Sequence, residues 1–257
     1  MALKRITQLL LIPYGLLTFG SIAAIAAGAV LPDFITPLST LIGSGFALLH
    51  AGQREGWKRA LALLGLVFGI SLLFESLGVA TGWVYGPYHY TARLGPLFLG
   101  LVPLLIPAAW FMMMYPSLVV AEAVLPSGGR RWPRALATAA VAGMVMTAWD
   151  LTMDPIMVGS GYWVWQVHGA YFGIPLQNFW GWWLTSFVTL ALYLAWSGRV
   201  RQTFADFDRP ALASYAVTCL GSICLSMLFN AGIGLVGIFA QSPWVIAGWL
   251  KMLDNGE

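Results

Sequence analysis

Apolar runs long enough to cross a lipid bilayer recur along almost the whole chain. Each can span roughly 30 Å of hydrocarbon as a helix, the second only marginally. Hydrophobic residues make up 59% of the chain and charged residues only 9%, whereas soluble domains carry roughly a quarter charged residues. The pattern predicts an all-α, polytopic membrane helix bundle forming one membrane domain over residues 1–257. The seven runs are 9–30, 34–49, 61–81, 97–124, 136–158, 179–196 and 211–229.

The distribution of basic residues predicts a cytoplasmic amino terminus. With Met1 inside, the inner segments hold eleven Lys and Arg residues and the outer ones hold Arg93 and Lys251, and eleven plus two accounts for all thirteen. Such a bias is typical of multi-pass proteins of the cell membrane. The net charge of +3 therefore reflects topology rather than a nucleic-acid partner, and membrane lipid is the expected surrounding.

Two points of the topology stay open. The first run, of about 22 residues, exceeds the apolar core of a signal peptide, which is roughly 7 to 15 residues long, and is predicted to be a span. Residues 231–250 are apolar enough for an eighth crossing that would also bring Lys251 inside. Because Gln241 and Pro243 weaken that segment, seven helices are preferred over eight.

Three acids lie inside the predicted spans toward their outer side. Glu75 and Asp150 each come fourteen residues into an outward-running span, roughly 21 Å along it, so they share a depth. Asp154 follows Asp150 by one helical turn, on the same face and about 6 Å nearer the outer surface. An aspartate at mid-span costs roughly 2.5 to 3.5 kcal/mol, so these acids are expected to face the bundle interior, where neighbouring carboxyls favour one protonated and one ionised group.

An alternative reading of these acids is structural, with hydrogen bonds to Asn178, Tyr or Trp holding the helices together. Pro155 frees a backbone carbonyl beside them. Glu122 is predicted to be a structural partner of basic residues at the cytoplasmic end of its span. Four further acids are predicted to be ordinary loop charges: Asp33, Glu55, Asp206 and Asp208.

Two outer segments, 83–96 and 159–178, are rich in aromatic residues and punctuated by glycine. The second is predicted to form a small hairpin or re-entrant segment over the bundle mouth, and the alternative is an interfacial aromatic belt. His89 and His168 lie in these segments and, with the acids, are potential metal ligands. Neither has a spacing such as H-x-x-x-H, so no metal site is predicted.

Four stretches of the chain carry a resemblance to a known family. They are FESLGVATGWVYGPYHYT (74–91), LGPLFLGLVPLLIPAAWFMMMYPS (94–117), TAWDLTMDPIMV (147–158) and GYWVWQVHGAYFGIPLQNFWGWW (161–183). Together they resemble the CruF-type carotenoid biosynthesis proteins over roughly the central half of the chain. The resemblance implies a multi-pass carotenoid 1,2-hydratase acting on the open isoprenoid ends of acyclic or monocyclic carotenoids, or of bisanhydrobacterioruberin.

Hydration of a terminal alkene needs a proton donor, a surface that stabilises a tertiary carbocation and a group that deprotonates water, and it needs no cofactor. Asp150 or Glu75 is the hypothesised acid, and Asp154 is the group that holds the water, although these roles are interchangeable. The aromatic side chains are expected to stack on the cation. The predicted substrate-binding residues are Trp83, Tyr85, Tyr88, His89, Trp149, Tyr162, Trp163, Trp165, His168, Asn178 and Trp182.

The expected partners are a carotenoid and water, and other enzymes of the carotenoid pathway are candidates. Competing readings are a carotenoid end-group cyclase or isomerase, which would quench the same cation differently, and a proton-coupled transporter, against which the lack of an internal repeat counts. A retinal-type receptor is disfavoured because the three lysines, Lys4, Lys58 and Lys251, lie at membrane edges.

Overall fold

The protein is a bundle of long helices capped at one end by short strands. A computed structural model describes residues 2–126, 128–198 and 206–254. The helices are α1 (Ala2–Leu9), α2 (Leu11–Ala26), α3 (Ile35–Glu55), α4 (Trp57–Thr81), α5 (Leu105–Val124), α6 (Arg131–Gly159), α7 (Leu176–Ser197), α8 (Arg209–Phe229) and α9 (Ala231–Asp254), and the strands are β1 (Tyr88–Tyr90), β2 (Leu97–Phe98), β3 (Val102–Pro103) and β4 (Trp163–Trp165).

Seven helical segments of the described chain are long and apolar enough to cross a membrane. The predicted polytopic helical bundle is therefore confirmed, but the seven are not the seven of the sequence reading. The last segment, Ala231–Lys251, qualifies, whereas α7 (22 residues) does not meet the same composition. The segments are Leu3–Ala26, Ile35–Glu55, Trp57–Thr81, Leu105–Val124, Arg131–Gly159, Asp206–Phe229 and Ala231–Lys251.

The last helix is held by the polar residue that seemed to argue against it. Gln241 is fully buried and donates to Thr152 Oγ1 of α6 at 2.7 Å, and Thr152 donates to Ser222 Oγ of α8 at 2.9 Å. A buried amide needs such partners, because an unpaired one costs about 1 to 3 kcal/mol. Gln241 thus ties α9 to α6 and α8.

The predicted span 97–124 starts too early. Residues 97–103 form a small antiparallel hairpin of β2 and β3, and α5 begins only at Leu105. The turn of this hairpin places Leu99 and Gly100 at φ of 51° and 71°, a left-handed conformation that ends any helix.

The two aromatic outer segments pair with each other. Strand β1 lies antiparallel to β4, with Tyr88 opposite Trp165 and Tyr90 opposite Trp163. The hairpin predicted within the second segment is therefore wrong for β4, although Gly169 and Gly173 do close a tight turn farther along. We call residues 83–103 and 160–175 the cap, because together they cover one end of the bundle.

Helix α5 lies at the centre of the bundle. It packs against α3, α4, α6, α8 and α9, and most of its side chains are buried. Helix α4 does not pack extensively on α6, since α5 and α7 each contact both of them. The acids of α4 and α6 therefore approach the interior from two separate helices.

Candidate active site

A partly enclosed cavity of about 130 Å³ lies beneath the cap, and two of the three predicted acids line it. Glu75 comes from α4 and Asp154 from α6, and both face one space. The lining residues are Thr36, Thr40, Glu75, Tyr85, Tyr88, Tyr90, Ile106, Ala109, Trp110, Met112, Trp149, Met153, Asp154, Met157, Trp163, Trp165, Asn178 and Trp182.

Glu75 is buried and accepts hydrogen bonds from three neutral donors. The hydroxyls of Tyr88 and Tyr90 donate to Oε2, the latter at 2.8 Å, and Trp110 Nε1 donates to Oε1 at 2.9 Å. Both tyrosines point inward because they are two residues apart on β1. Burial, followed by the nearby Glu75 carboxyl, raises the pKa of each tyrosine well above its ordinary value. Both hydroxyls therefore remain donors at neutral pH.

Asp150 and Asp154 are joined by one amide. Asn178 Nδ2, in the first turn of α7, donates to Oδ2 of Asp150 at 2.8 Å and to Oδ2 of Asp154 at 2.7 Å. Both carboxyls are almost completely inaccessible, at 0% and 1% exposure. The i, i+4 spacing puts them on one face of α6, as predicted.

The second oxygens of these two carboxyls differ. Oδ1 of Asp154 accepts from Trp163 Nε1 at 2.7 Å and from Trp165 Nε1 at 3.4 Å. Oδ1 of Asp150 has no hydrogen-bond partner among the described residues, and Asp150 does not line the cavity. Asp154 is thus the member of the pair that faces the cavity.

The freed carbonyl predicted beside Pro155 is occupied by the cap. Because Pro155 has no N–H to offer Leu151, the hydroxyl of Tyr171 donates to the Leu151 oxygen at 2.7 Å instead. Burial raises the pKa of Tyr171 to about 12, so this hydroxyl is protonated at neutral pH. The contact anchors the cap one turn from Asp154.

Aromatic rings form the remaining walls of the cavity. Trp110 stacks on Trp182 with ring centroids 4.1 Å apart, and Trp149 meets Trp182 edge-on at 6.0 Å. Tyr85 is held by a 2.8 Å hydrogen bond to Thr185. A Cβ at Gly181 would lie 2.5 Å from the Tyr85 ring, so only glycine lets this ring reach the cavity.

Several predicted substrate-binding residues lie elsewhere. Trp83 is 83% exposed, and His89 and His168 are exposed as well; none of the three lines the cavity. His89 points away because it alternates with Tyr88 and Tyr90 on β1. Tyr162 is buried beside a neighbouring groove rather than in the cavity.

Nine lining residues were not among the predicted site residues, and two of them, Tyr90 and Trp110, donate hydrogen bonds to Glu75. Trp110 looks like an ordinary core residue of an apolar helix, and nothing in its local sequence marks it. Tyr90 was noticed in its segment but not selected as a site residue. The repeated aromatic-x-aromatic pattern at 88–90 and 163–165 is the signal that predicts two paired strands with their aromatic sides facing the same way.

A larger groove of about 550 Å³ adjoins the cavity. It lies between α2 on one side and α6 and α8 on the other. Six residues line both spaces: Thr36, Thr40, Met112, Trp149, Met153 and Met157. We call these six residues the throat.

The cavity offers acceptors and π-faces but no cationic side chain. None of the described residues that line it is Lys, Arg or His. In the described parts of the chain, no group of three or more His, Cys, Asp and Glu is placed to hold a metal ion. Two carboxyls and several indole faces around an apolar space favour a positively charged species within it.

Comparison with known proteins identifies the family. The model of the carotenoid biosynthesis protein family matches residues 35–248, a stretch that contains every residue lining the cavity. The chain belongs to this family. The resemblance found in the sequence is thereby confirmed, and membership gives the chain a role in carotenoid biosynthesis.

A hydratase from a haloarchaeon is also similar to the chain. The bisanhydrobacterioruberin hydratase of Haloarcula japonica is 33% identical over 203 residues, which cover 77% of this chain and 62% of the relative. The chain therefore spans less than two thirds of that protein's length. No solved structure matches the chain.

Proposed function

We propose that this protein is a carotenoid 1,2-hydratase, which adds water to the terminal double bond of an acyclic or monocyclic carotenoid by protonation and water capture. The observation that carries the proposal is the cavity that Glu75 and Asp154 line together beneath indole rings. The name of the Haloarcula japonica relative supports the same reaction class.

Asp154 is the proposed proton donor. A donor must touch the alkene, and Asp150, one of the two acids hypothesised from the sequence, does not line the cavity. The shared Asn178 amide brings the two carboxyls together, and two adjacent buried carboxyls are most stable with one proton between them. Asp150 thus acts on the reaction through Asp154, as a positioning residue that keeps this proton available.

Glu75 is the proposed base. Its three donors are all aimed at lone pairs, and hydrogen bonds to a carboxylate stabilise its ionised form. Asp154 also accepts three hydrogen bonds, but it differs from Glu75 in having a second buried carboxyl, Asp150, with which it shares a proton. It stands on α4, separated from Asp154 of α6 by α5 and α7. A substrate end group between the two helices would receive a proton from one side and water from the other.

The proposed reaction balances without a cofactor. The Asp154 proton bonds to C2 of the C1=C2 double bond, whose π electrons form the new C–H bond and leave a tertiary cation at C1. An oxygen lone pair of water then bonds to C1, and the proton of that water passes to Glu75. Proton exchange through cavity water returns Asp154 and Glu75 to their starting states. The rings of Trp110, Trp149 and Trp182 stabilise the cation, each contact being worth roughly 0.5 to 2 kcal/mol.

Expression in a lycopene-producing host tests this function. We expect the pigments to gain the mass of one water per hydrated end, in cells carrying the wild-type chain but not in cells carrying Asp154→Asn. Pigments of unchanged mass and shifted spectrum would identify an end-group cyclase or isomerase and refute the hydratase. Unchanged pigments in a well-expressing host would refute both.

A further inference from the structure

Helix α2 packs on α3 and α8 with few buried side chains of its own. Tyr14 is the one residue of this helix that is buried, and its hydroxyl lies 2.6 Å from Thr218 Oγ1 of α8. A second close approach brings the Thr18 methyl group against Gly221, where an added Cβ would lie 2.4 Å from it. Helix α2 thus packs on α8 but makes little contact with α6, and the space left beside them is the groove.

The groove walls suit an extended apolar chain. Leu17, Ile22 and Ile25 of α2 face Ile156 of α6 and Leu225 of α8 across it. From Tyr14 to Ile25 the groove follows α2 for roughly 16 Å. The lining is mostly apolar, with Ser and Thr hydroxyls among its polar groups and Arg93 at the cap end, which favours a ligand held mainly by apolar contact along its length.

The throat lies between this groove and the acid cavity. Met112, Met153 and Met157 line both spaces, and methionine side chains are unbranched and adapt to irregular ligands. The cavity volume of about 130 Å³ is roughly a quarter of the 550 Å³ of the groove. The end group of a long molecule therefore fits beside the acids only if the rest of that molecule lies outside the cavity.

We infer that the groove binds the polyene chain of the substrate, so that α2 forms one wall of the substrate site and only the end group passes the throat. This inference rests on the proposed hydratase function and extends it to a residue set outside the acid cavity. The occupant is a linear polyisoprenoid, because the groove ends at the site where such a molecule would react. A phospholipid acyl chain is the competing occupant.

A bulky side chain placed in the groove should impair the reaction of long substrates but not that of short ones. Ser21 lines the groove, and Ser21→Trp would fill it. Ala23, two residues along the same helix, is exposed and does not line the groove, so Ala23→Trp is the matched control. For lycopene we expect Ser21→Trp to lower kcat/KM about tenfold or more. For a short acyclic monoterpene with the same end group, it should change kcat/KM less than about twofold.

Equal losses on both substrates, or no loss on either, would overturn the groove as the polyene site. So would an equal effect of Ala23→Trp. The monoterpene also separates this inference from the proposed function, since it needs the acid cavity but not the groove.

A binding measurement tests the groove even if no substrate is hydrated. Protein purified in detergent is incubated with lycopene, and bound pigment per protein is read from its visible absorbance. We expect Ser21→Trp to retain less than about a tenth of the wild-type pigment and Ala23→Trp to retain nearly all of it. Equal retention by the two variants, or a co-purifying phospholipid that lycopene does not displace, would contradict the inference.

Discussion

Two groups of three buried carboxyl side chains lie at opposite ends of this bundle, and their hydrogen-bond partners differ in charge. Glu75 comes eighteen residues after Trp57 on α4, so roughly 27 Å of helix separates the two ends. At the end away from the cap, one guanidinium binds all three acids. We call this group the ion cluster: Arg54 contacts Glu55 at 3.1 Å, Glu122 at 2.7 Å and Asp208 at 2.5 Å.

The contrast shows why similar side chains serve different purposes. In the ion cluster, the positive charge of Arg54 offsets the negative charges and fixes three helical segments to one another. In the cavity, the donors are neutral hydroxyl, indole and amide groups, which orient the carboxyls without supplying a positive charge. The ion cluster stabilises the packing of the helices. The cavity carboxyls remain able to exchange protons and to attract a cation.

The largest effect is expected for Asp154→Asn. It removes the proposed proton while preserving shape and the two indole contacts, and general acid catalysis is worth about 10²- to 10⁴-fold. We expect hydration of lycopene by purified protein to fall about 10⁴-fold, with pigment binding and thermal stability retained.

Asp206→Asn is the matched control, because Asp206 is 84% exposed in its side chain and lies far from the cavity in the fold. Asp150→Asn is expected to lower activity strongly but less than Asp154→Asn. Wild-type turnover by Asp154→Asn would show that Asp154 is not the proton donor. A greater loss in Asp150→Asn would make Asp150 the donor and Asp154 the positioning residue.

Arg54→Met tests the structural side of the comparison. Removing one member of a buried ion group typically costs about 3 to 5 kcal/mol, because the remaining charges stay buried without it. The thermal unfolding midpoint in detergent should fall markedly, while kcat per folded molecule is retained. Lys58→Met, at an exposed lysine, should leave the midpoint unchanged. A stable Arg54→Met protein with lost activity would mean that the ion cluster serves the chemistry.

Trp110→Phe probes a neutral donor of the cavity. The change keeps a ring against Trp182 but removes the N–H that donates to Glu75, and a hydrogen bond to a charged group is worth about 1.5 to 3 kcal/mol. We expect kcat to fall about 10- to 100-fold with little change in KM. Trp180→Phe, at a 60% exposed position, is the control. A rise in KM at constant kcat would make Trp110 a binding residue only.

The smallest effect is expected at an exposed ion pair of the cap. Arg93 contacts Asp33 at 2.5 Å, with side chains 43% and 63% exposed, and such pairs are worth about 0 to 1 kcal/mol. Asp33→Asn should lower the unfolding midpoint slightly in low salt and not measurably in high salt. A loss as large as that of Arg54→Met would show that exposure does not distinguish the two kinds of ion pair here.

The helical bundle and the placing of Asp150 and Asp154 on one face of α6 were predictable because both follow from local sequence. Hydrophobic length predicts spans, and the shared depth of Glu75 and Asp150 stays a prediction. The position of Asp154, one turn from Asp150 on α6, follows from helical periodicity in the same way. These are properties of single elements.

What the sequence could not predict depends on contacts between elements. His89 was wrongly assigned to the site. Alternate side chains of a strand point to opposite faces, and the sequence does not say which face of β1 turns toward the cavity. Glu55 and Asp208 resemble loop charges at helix ends, yet both are buried once α3, α5 and α8 meet. Nothing in the sequence around Asn178 predicts that its amide joins two carboxyls of another helix.

The most direct test is isotopic. Purified protein in detergent is given lycopene in D₂O enriched with H₂¹⁸O, and the product is analysed by mass spectrometry and NMR. We predict one non-exchangeable deuterium at C2 and one ¹⁸O at C1 for each hydrated end, with neither label incorporated by Asp154→Asn. A product that carries deuterium without ¹⁸O, or pigment that carries neither label, would contradict hydration in this cavity.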